Sequence, residues 1–535
     1  MMHIKTDDQT EQEDVIAFLK APASYASGPT SVDVIETHGA LVFLAGDEVF
    51  KIKRAVSFDY MDFSTLAKRK AVCLREFALN QPAAPDLYLG VVPITREPDD
   101  ALAFAGNGTP IEWAVHMRRF AQDDLFSSLA KRHKIDHAMI KALAATVAGY
   151  HMGLDAKPIA DGAGPISEIV TELRDAFAAL GEHVPAETAK AFLDAAQKRL
   201  DEVSPLLDAR ATRGLIRRCH GDLHLGNIVH WAGKPVLFDA LEFDEALATT
   251  DLLYELAFLV MDLWHEGLRT EANLLFNRYL FETASLDQLD GLSTFGLFMA
   301  LRGGIRTMVS AQRSVLVTGG ANSQNTEAAT YLRDALGFLT QYAPTLVAVG
   351  GLSGTGKSTL AAEIAVHIGT VPGAVHLRSD LERKLLFGAG ETERLDQAYY
   401  TPEAHTRVYD ALLKKAAQVL SAGHAVVVDA VFAEEDWRRD VERVAEGLGV
   451  PFVGLWLDAP DEQLIQRVEA RRGDASDATA AIVRRQLAKG ASAKSWIQID
   501  AGGSALETAL TATLALRRAD ALRFDEAFAE SQADR

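Results

Sequence analysis

Two groups of residues in this chain have the types and spacing to handle phosphate. The first is His220-Gly-Asp222-Leu-His224-Leu-Gly-Asn227, followed by Val236-Leu-Phe-Asp239. Phosphoryl transfer asks for a carboxylate to orient an acceptor hydroxyl, ligands for a divalent cation, and a cation over the nucleotide phosphates. Asp222 supplies the carboxylate, Asn227 a metal-binding amide five positions on, and Asp239, 17 positions after Asp222, a place for magnesium. Upstream, Lys51 and Lys53 share one face of a strand, because side chains alternate with period two. Either can grip the α and β phosphates, with Glu76 on the following helix as ion-pair partner.

The second group is Gly351-Leu352-Ser353-Gly354-Thr355-Gly356-Lys357-Ser358-Thr359, a full Walker A loop. Backbone N–H groups and a helix N-terminus cradle a phosphate in such a loop, and side chains at the glycines would obstruct it. Lys357 then bridges the β and γ phosphates and the Ser358 hydroxyl ligates magnesium. Asp380, at the carboxyl end of the next strand, faces the ligand crevice of a parallel sheet. It is placed to take a proton from an acceptor hydroxyl, with Arg383 steadying phosphate or substrate; Ser379 or Asp380 would also serve as a helix N-cap. Val426-Val-Val-Asp429 reads as a Walker-B-like strand with Asp429 as a second metal ligand, or equally as a strand-end residue. Arg467, Arg471 and Arg472, before Gly-Asp474-Ala-Ser-Asp477, suit a lid that closes over the nucleotide. Tyr399, Tyr400, Arg407 and Tyr409 fall between the carboxylate and the next strand, where they can line an acceptor pocket.

The elements that must carry these groups follow from pattern. Glu13 to Lys20 reads as a short amphipathic helix. Leu41 to Ala45 and Glu48 to Lys53, joined by Gly46-Asp47, read as a hairpin. Ser64 to Asn80 has helical periodicity with Ser64 as N-cap; Tyr88 to Ile94 and Ile111 to Phe120 are further strands. From about residue 121 the pattern is helical, interrupted by a strand-loop-strand at Leu215 to Phe243 that holds the first motif. The chain restarts at Thr345 to Gly350 with a buried strand, then a helix Thr359 to Ile368 and strands at Val375–Arg378, Ala425–Asp429 and Phe452–Leu457. That alternation predicts a parallel α/β sheet. The expected fold class is an α+β two-lobed protein-kinase-like domain over 1–340, followed by an α/β P-loop domain with a parallel sheet over 341–535.

His-Gly-Asp-x-x-x-x-Asn followed by a Phe-Asp strand resembles the aminoglycoside phosphotransferase family of the protein-kinase-like fold, over roughly residues 30–335. The resemblance implies Asp222 as catalytic base, Asn227 and Asp239 as magnesium ligands, and Lys51 or Lys53 with Glu76 as the phosphate clamp; Trp113 to Arg119 would lead into the adenine-binding hinge. No Gly-x-Gly-x-x-Gly loop accompanies the first hairpin, where only Gly39 and Gly46 stand. The second set, with Arg-Ser-Asp380, Val-Val-Asp429 and Arg-Arg-Gly-Asp-x-Ser-Asp-Ala, resembles small-molecule P-loop kinases of the gluconate kinase, chloramphenicol phosphotransferase and zeta-toxin type, over roughly 345–500. Both halves in this order look like proteins described as bifunctional aminoglycoside phosphotransferase/ATP-binding protein. The implied cofactors are ATP and Mg2+. Glu242, Asp244 and Glu245 are near enough to lend acidity to an aminoglycoside pocket; they read equally as a solvated loop and helix cap.

Composition bounds the rest. The chain has 535 residues, 48% of them hydrophobic and 24% charged, with a formal net charge of −20. That length exceeds one core. The acidity argues against a broad nucleic-acid surface. The best apolar run, Leu252 to Trp264, carries Glu255 and Asp262 and is a buried helix, so no membrane association is expected. The N-terminal Met-Met-His-Ile-Lys-Thr-Asp-Asp lacks signal-peptide regions. Cys73 and Cys219, the only cysteines, read as small buried hydrophobes in a reducing cytoplasm. His220 reads as a structural hydrogen-bonder and His224 as a surface or loop residue. Partners are expected to be small-molecule hydroxyl acceptors. The expected activity is bifunctional ATP-dependent phosphotransfer to hydroxyl groups. The alternatives are catalysis by the P-loop half alone beside a regulatory kinase-like half, and a 5′-hydroxyl polynucleotide kinase.

Overall fold

Alternation along the first hairpin decides where its charges go. In the computed structural model, which describes residues 7–58, 61–316, 321–471, 473–490 and 493–522, Ala40–Ala45 and Glu48–Lys53 pair antiparallel with Lys51 opposite Val42. Leu41, Phe43, Phe50 and Ile52 point to one face, where they pack with Val15 and Leu19 of the N-terminal helix Asp7–Lys20. Leu44 and Val49 point to the other, against Cys73 and Leu87. Lys51 and Lys53 have the parity of Val49, so they face the helix Leu66–Asn80 that carries Cys73 and Glu76. That helix is capped by Thr65, whose hydroxyl accepts from the Lys68 N–H, one residue beyond the expected Ser64; Ser64 instead turns back to Asp62.

The chain divides into two compact units. The first comprises Met1–Pro158 and Gly214–Asp262, the second Ile159–Arg213 and Leu263–Arg535. The first holds a six-stranded antiparallel sheet in the order Val32–Glu36, Ala40–Ala45, Glu48–Lys53, Thr109–Arg118, Tyr88–Arg96, Leu102–Phe104. The edge strand Val32–Glu36 has little buried side chain, and so gave no alternating signal. The first motif lies between Ile216–Arg218, paired with Thr249–Asp251, and the hairpin Ile228–Trp231 with Lys234–Leu237.

The second unit contains the helices Ala163–Leu180, Ala186–Thr212, Arg269–Thr283, Leu292–Leu316 and Ala321–Phe338, then a five-stranded parallel sheet. Its order is Val375–Arg378, Val426–Asp429, Leu346–Gly351, Phe452–Asp458, Ile497–Asp500. Leu346–Gly351 is buried throughout, as a central parallel strand covered on both faces must be. The fifth strand, Ile497–Asp500, has one buried residue, Ile499, too few for the pattern to announce it. The fold is therefore an α+β kinase-like arrangement followed by an α/β P-loop arrangement. The N-terminal residues 1–6 and Arg472 lie outside the described residues. No helix among the described residues is long and apolar enough to cross a membrane.

Candidate functional sites

In the first unit, four charged groups close a chain around Glu76. Its carboxylate, fully buried, takes Lys51 at 2.9 Å on one oxygen and Lys53 at 2.5 Å on the other. Lys51 also reaches Asp239 at 2.5 Å, and Lys53 reaches Glu242 at 2.5 Å. Burial would lower the Lys51 pKa, but the charges of Asp239 and Glu76 outweigh it and hold it well above the ordinary lysine value. The same pairing overrides burial at Asp239 and holds its carboxyl below the usual range. The choice left open between the two lysines is thereby narrowed. Lys51 bridges the helix glutamate to the metal-type aspartate, whereas Lys53 ties down the loop after it.

Asp239 stands in the left-handed region at φ 64°, a conformation a non-glycine residue keeps only when its surroundings enforce it. Two buried side chains do so. The Tyr88 hydroxyl accepts from the Asp239 N–H at 3.1 Å, and the Asn80 carboxamide oxygen accepts from Ala240 N–H at 2.8 Å. Asn80 sits one helical turn after Glu76, so one helix fixes both the lysine clamp and the aspartate turn.

The loop bearing Asp222 is fixed from below. Glu255 accepts from the backbone N–H of His220 (3.2 Å) and Gly221 (2.7 Å), and pairs with His151 at 2.9 Å. Asp262, two turns on, accepts from Leu225 N–H at 3.1 Å. The two acidic residues inside the apolar run thus grip both ends of the loop. His220 is buried and donates Nε2–H to the Phe238 carbonyl at 2.9 Å; burial pushes its pKa down, against the charges of Glu255 and Asp222. His224 lies in the loop and is partly buried. Its Nδ1 accepts from Gly226 N–H at 2.9 Å, and its Nε2 lies 3.5 Å from Asp222. The Asn227 amide donates to the Asp222 carboxylate at 3.2 Å and its carbonyl at 2.9 Å. That turns the amide oxygen away, as the donor a divalent cation would take.

In the second unit the glycines of the Walker loop are where the backbone needs them. Gly351, Gly354 and Gly356 have φ of 143°, 94° and 88°. A Cβ at Gly354 would meet the Leu464 carbonyl at 2.6 Å, and one at Gly351 the Leu457 carbonyl at 2.6 Å. The loop opens the helix Lys357–Ala365 with no side-chain cap, leaving its N–H groups for an anion. Lys357 folds back to the Leu352 carbonyl at 3.0 Å. Burial lowers its pKa, against the opposing charges of Asp429 and Asp380 and with Arg471 and Arg378 adding to the lowering. These residues therefore share one field. Ser353 N–H donates to Gln486 Oε1 at 3.0 Å, tying the helix Ala480–Lys489 to the loop.

Asp429 pairs in register with Val349, beside the strand that feeds the loop. It is buried, with His376 at 3.7 Å and Arg378 at 3.8 Å. Asp380 lies in the first turn of Ser379–Leu386, yet Arg378 holds the N-cap position and no side chain caps this helix; the capping role expected for Ser379 or Asp380 is absent. Arg383 is buried. It donates to the Tyr399 carbonyl (2.8 Å) and to His405 Nδ1 (3.0 Å) and lies over Tyr400. Burial pushes His405 down to about 4, which keeps its Nδ1 an acceptor. Tyr400 donates to Asp477 at 2.6 Å, and Lys384 reaches the same oxygen at 2.8 Å.

Other expectations shift. The lid helix ends at Ala470, so Arg471 is an extended C-cap residue, 3.4 Å from Asp474. Arg467 turns to the carbonyls of Ala501 and Gly503, away from the lid. Tyr409 is buried, accepts from Phe432 N–H and stacks on Trp437, and the exposed Arg407 lies over Phe387. Glu242 is buried in the lysine network, not a solvated loop residue, while Asp244 caps the short helix Glu245–Ala248.

An AAA domain family model matches residues 346–491. Those residues form a P-loop nucleotide-binding domain. The whole chain is 29% identical over 479 residues to an uncharacterized protein of Mycobacterium tuberculosis (strain ATCC 25618 / H37Rv), covering 88% of this chain and 93% of that one. The same figures hold for an uncharacterized protein of Mycobacterium bovis. Among solved structures, a GDP complex of aminoglycoside 2′-phosphotransferase-IIIa is 14% identical, covering 61% of this chain and 97% of its own, with a TM-score of 0.39. A gluconokinase from Sinorhizobium meliloti 1021 is 20% identical, covering 33% of this chain and 93% of its own, with a TM-score of 0.25. A choline/ethanolamine kinase family protein from Mesorhizobium loti is 13% identical over 62% of this chain and 95% of its own, with a TM-score of 0.35.

Asn80, Tyr88 and Glu255 escaped the sequence reading. Their roles depend on contacts 34 to 160 residues away, for which spacing carries no signal. A buried glutamate in an apolar helix was the one visible hint.

Proposed function

We propose that this chain is a bifunctional ATP-dependent phosphotransferase, with one site in a kinase-like domain (1–340) and one in a P-loop domain (341–535). Each transfers the γ-phosphate of Mg-ATP to a small-molecule hydroxyl, aminoglycoside- or sugar-like at the first site. One observation carries the reading: each compact unit brings together its own lysine, its own metal-type carboxylate and a second carboxylate suited to act as base. In the first, Lys51, steadied by Glu76, takes the nucleotide phosphates; Asn227 and Asp239 are the ligands for Mg2+, and Asp222 accepts the acceptor's hydroxyl proton. In the second, the Gly351–Thr359 backbone and Lys357 hold the phosphates. There Ser358 and Asp429 are the metal ligands and Asp380 the base, with Arg383 and Arg471 flanking.

The positive φ of Gly351, Gly354 and Gly356 and the uncapped N-terminus of the helix Lys357–Ala365 support a bound phosphate chain. So does the turned Asn227 amide for a cation in the first site. Mg-ATP, when bound, supplies the transferable phosphoryl group and neutralises the charge it develops. Acceptors are small molecules in this reading, with nucleic acid disfavoured by the net charge of −20. A reducing, cytoplasmic setting belongs to the same proposal, supported by Cys73 and Cys219 being free and buried.

The test is ATP consumption by Asp222→Asn and Lys357→Ala single variants across sugars, aminoglycosides and nucleosides. Each variant is expected to lose one subset of acceptors by about 10³-fold or more and to keep the other. Loss of all turnover in Lys357→Ala, with none lost in Asp222→Asn, would leave the P-loop site as the sole catalyst.

A further inference from the structure

The strand that delivers Asp380 is an edge strand. Val375–Arg378 pairs only with Val426–Asp429, so its other side presents unpaired backbone groups, which proteins cover or cap. Here the cover is a helix from well before the P-loop, Arg269–Thr283. Two asparagines one turn apart on that helix imitate a neighbouring strand, since a carboxamide both donates and accepts. Asn277 Oδ1 accepts from the His376 N–H at 2.7 Å, and its amide donates to the Ala374 carbonyl at 3.2 Å. Asn273, buried, donates to the carbonyls of Pro372 (3.2 Å) and Ala374 (3.3 Å). The next residue, Arg278, forms an ion pair with Glu391 at 2.9 Å, on the segment that runs on to Tyr399 and Tyr400 around Arg383.

We infer that the helix Arg269–Thr283 is the positioning element for the acceptor side of the P-loop site, with Asn277 its principal positioning residue. The inference rests on the phosphotransferase reading above. The asparagine hydrogen bonds and the Arg278 ion pair fall on the acceptor half: the segment running into Arg378 and Asp380, His376 beside Asp429, and the loop that carries the tyrosines. The Gly351–Thr359 loop, whose own backbone forms the phosphate cradle, has no part in it. Asn277 therefore acts on the direction of the Asp380 carboxylate and leaves nucleotide affinity alone. The same helix makes a second contact region with the P-loop domain through packing of Phe276 on His424, and Gln418 donates nearby to Asp290 at 2.5 Å and to the Leu286 carbonyl. The Gln418 hydrogen bonds, made to the separate helix Leu286–Asp290, provide a control.

The experiment compares full-length wild type, Asn277→Ala and Gln418→Ala. Lys357-dependent hydrolysis of Mg-ATP, with water as acceptor, is read beside the Kd of a fluorescent ATP analogue and the amide exchange of His376. In Asn277→Ala, misdirection of the base is expected to lower kcat about tenfold while nucleotide Kd stays within about twofold. The His376 amide should exchange at least about tenfold faster, with Val347–Val349 unchanged. Gln418→Ala should do neither. Faster His376 exchange with unaltered kcat, equal losses in both variants, or a parallel loss of nucleotide affinity would each overturn the inference. If wild type hydrolyses no ATP through Lys357, the functional reading falls. The exchange comparison would still decide, on its own, whether Asn277 holds the strand.

Discussion

The two sites solve the same problem with opposite materials. In the first unit the lysine proposed to take phosphate is already saturated: Lys51 has two carboxylates, Glu76 is shared with Lys53, and Lys53 has Glu242. In the P-loop domain the cradle is backbone, Lys357 rests on a carbonyl, and Asp380 makes no hydrogen bond or ion pair with any described residue. Preorganisation in the first is electrostatic and collective; in the second it is steric, fixed by glycines. Damage should spread differently. Removing one charge in the first site leaves others buried and short of countercharge, whereas removing one in the second should harm chemistry with little effect on folding.

The sharpest way to break the contrast is Asp380→Asn. Its carboxylate has no hydrogen-bonded partner among the described residues to strand, so the change should lower P-loop turnover by about 10²- to 10⁴-fold, the range for loss of a general base. The KM for ATP and the thermal midpoint should barely move. A fall in stability comparable with the fall in rate would show that Asp380 is structural and that the sites are less different than drawn.

Glu76→Gln tests the other side and should be felt mainly as stability. It leaves two buried ammonium groups short of charge, and breaking a buried ion pair costs about 3–5 kcal/mol. Urea unfolding followed by probes in the first unit should register that loss, while Lys357-dependent turnover persists. A loss below about 1 kcal/mol would place the network in the class of weak surface pairs.

How much of this was readable follows the same division. The P-loop is a local device: spacing, glycines, the preceding buried strand and the following helix all lie within one stretch, so the sequence pointed to Gly351–Thr359 and to Asp429 beside them. The lysine clamp was readable only as far as strand parity, which put Lys51 and Lys53 on one face without choosing between them. What chose was Asp239, 188 residues from Lys51, and its left-handed turn held by Asn80 and Tyr88. Element ends slipped where a neighbouring residue competed for a cap, as Thr65 did with Ser64. The weak strands Val32–Glu36 and Ile497–Asp500 passed unnoticed because exposed edges bury too few side chains to show a period.

The smallest effect comes from Glu255, and pH is the way to see it. Burial alone would raise its carboxyl pKa, but hydrogen bonding and charge from His151, with the charge of His220 and the Gly221 N–H, hold it below the ordinary glutamate value. A carboxyl depressed in the folded state contributes stability that is fully present above its unfolded pKa, about 4.3. That contribution is lost as pH falls through the lower folded value. Wild type should therefore lose stability on acidification below about pH 5 more steeply than Glu255→Gln. The amide variant can still accept from Gly221 N–H but has no charge to surrender. Above that window the two curves should run parallel, separated by the cost of the weaker His151 contact. If the acid limbs superimpose instead, Glu255 does not carry the linkage, and the Asp222 loop owes its position to geometry alone, as the P-loop does.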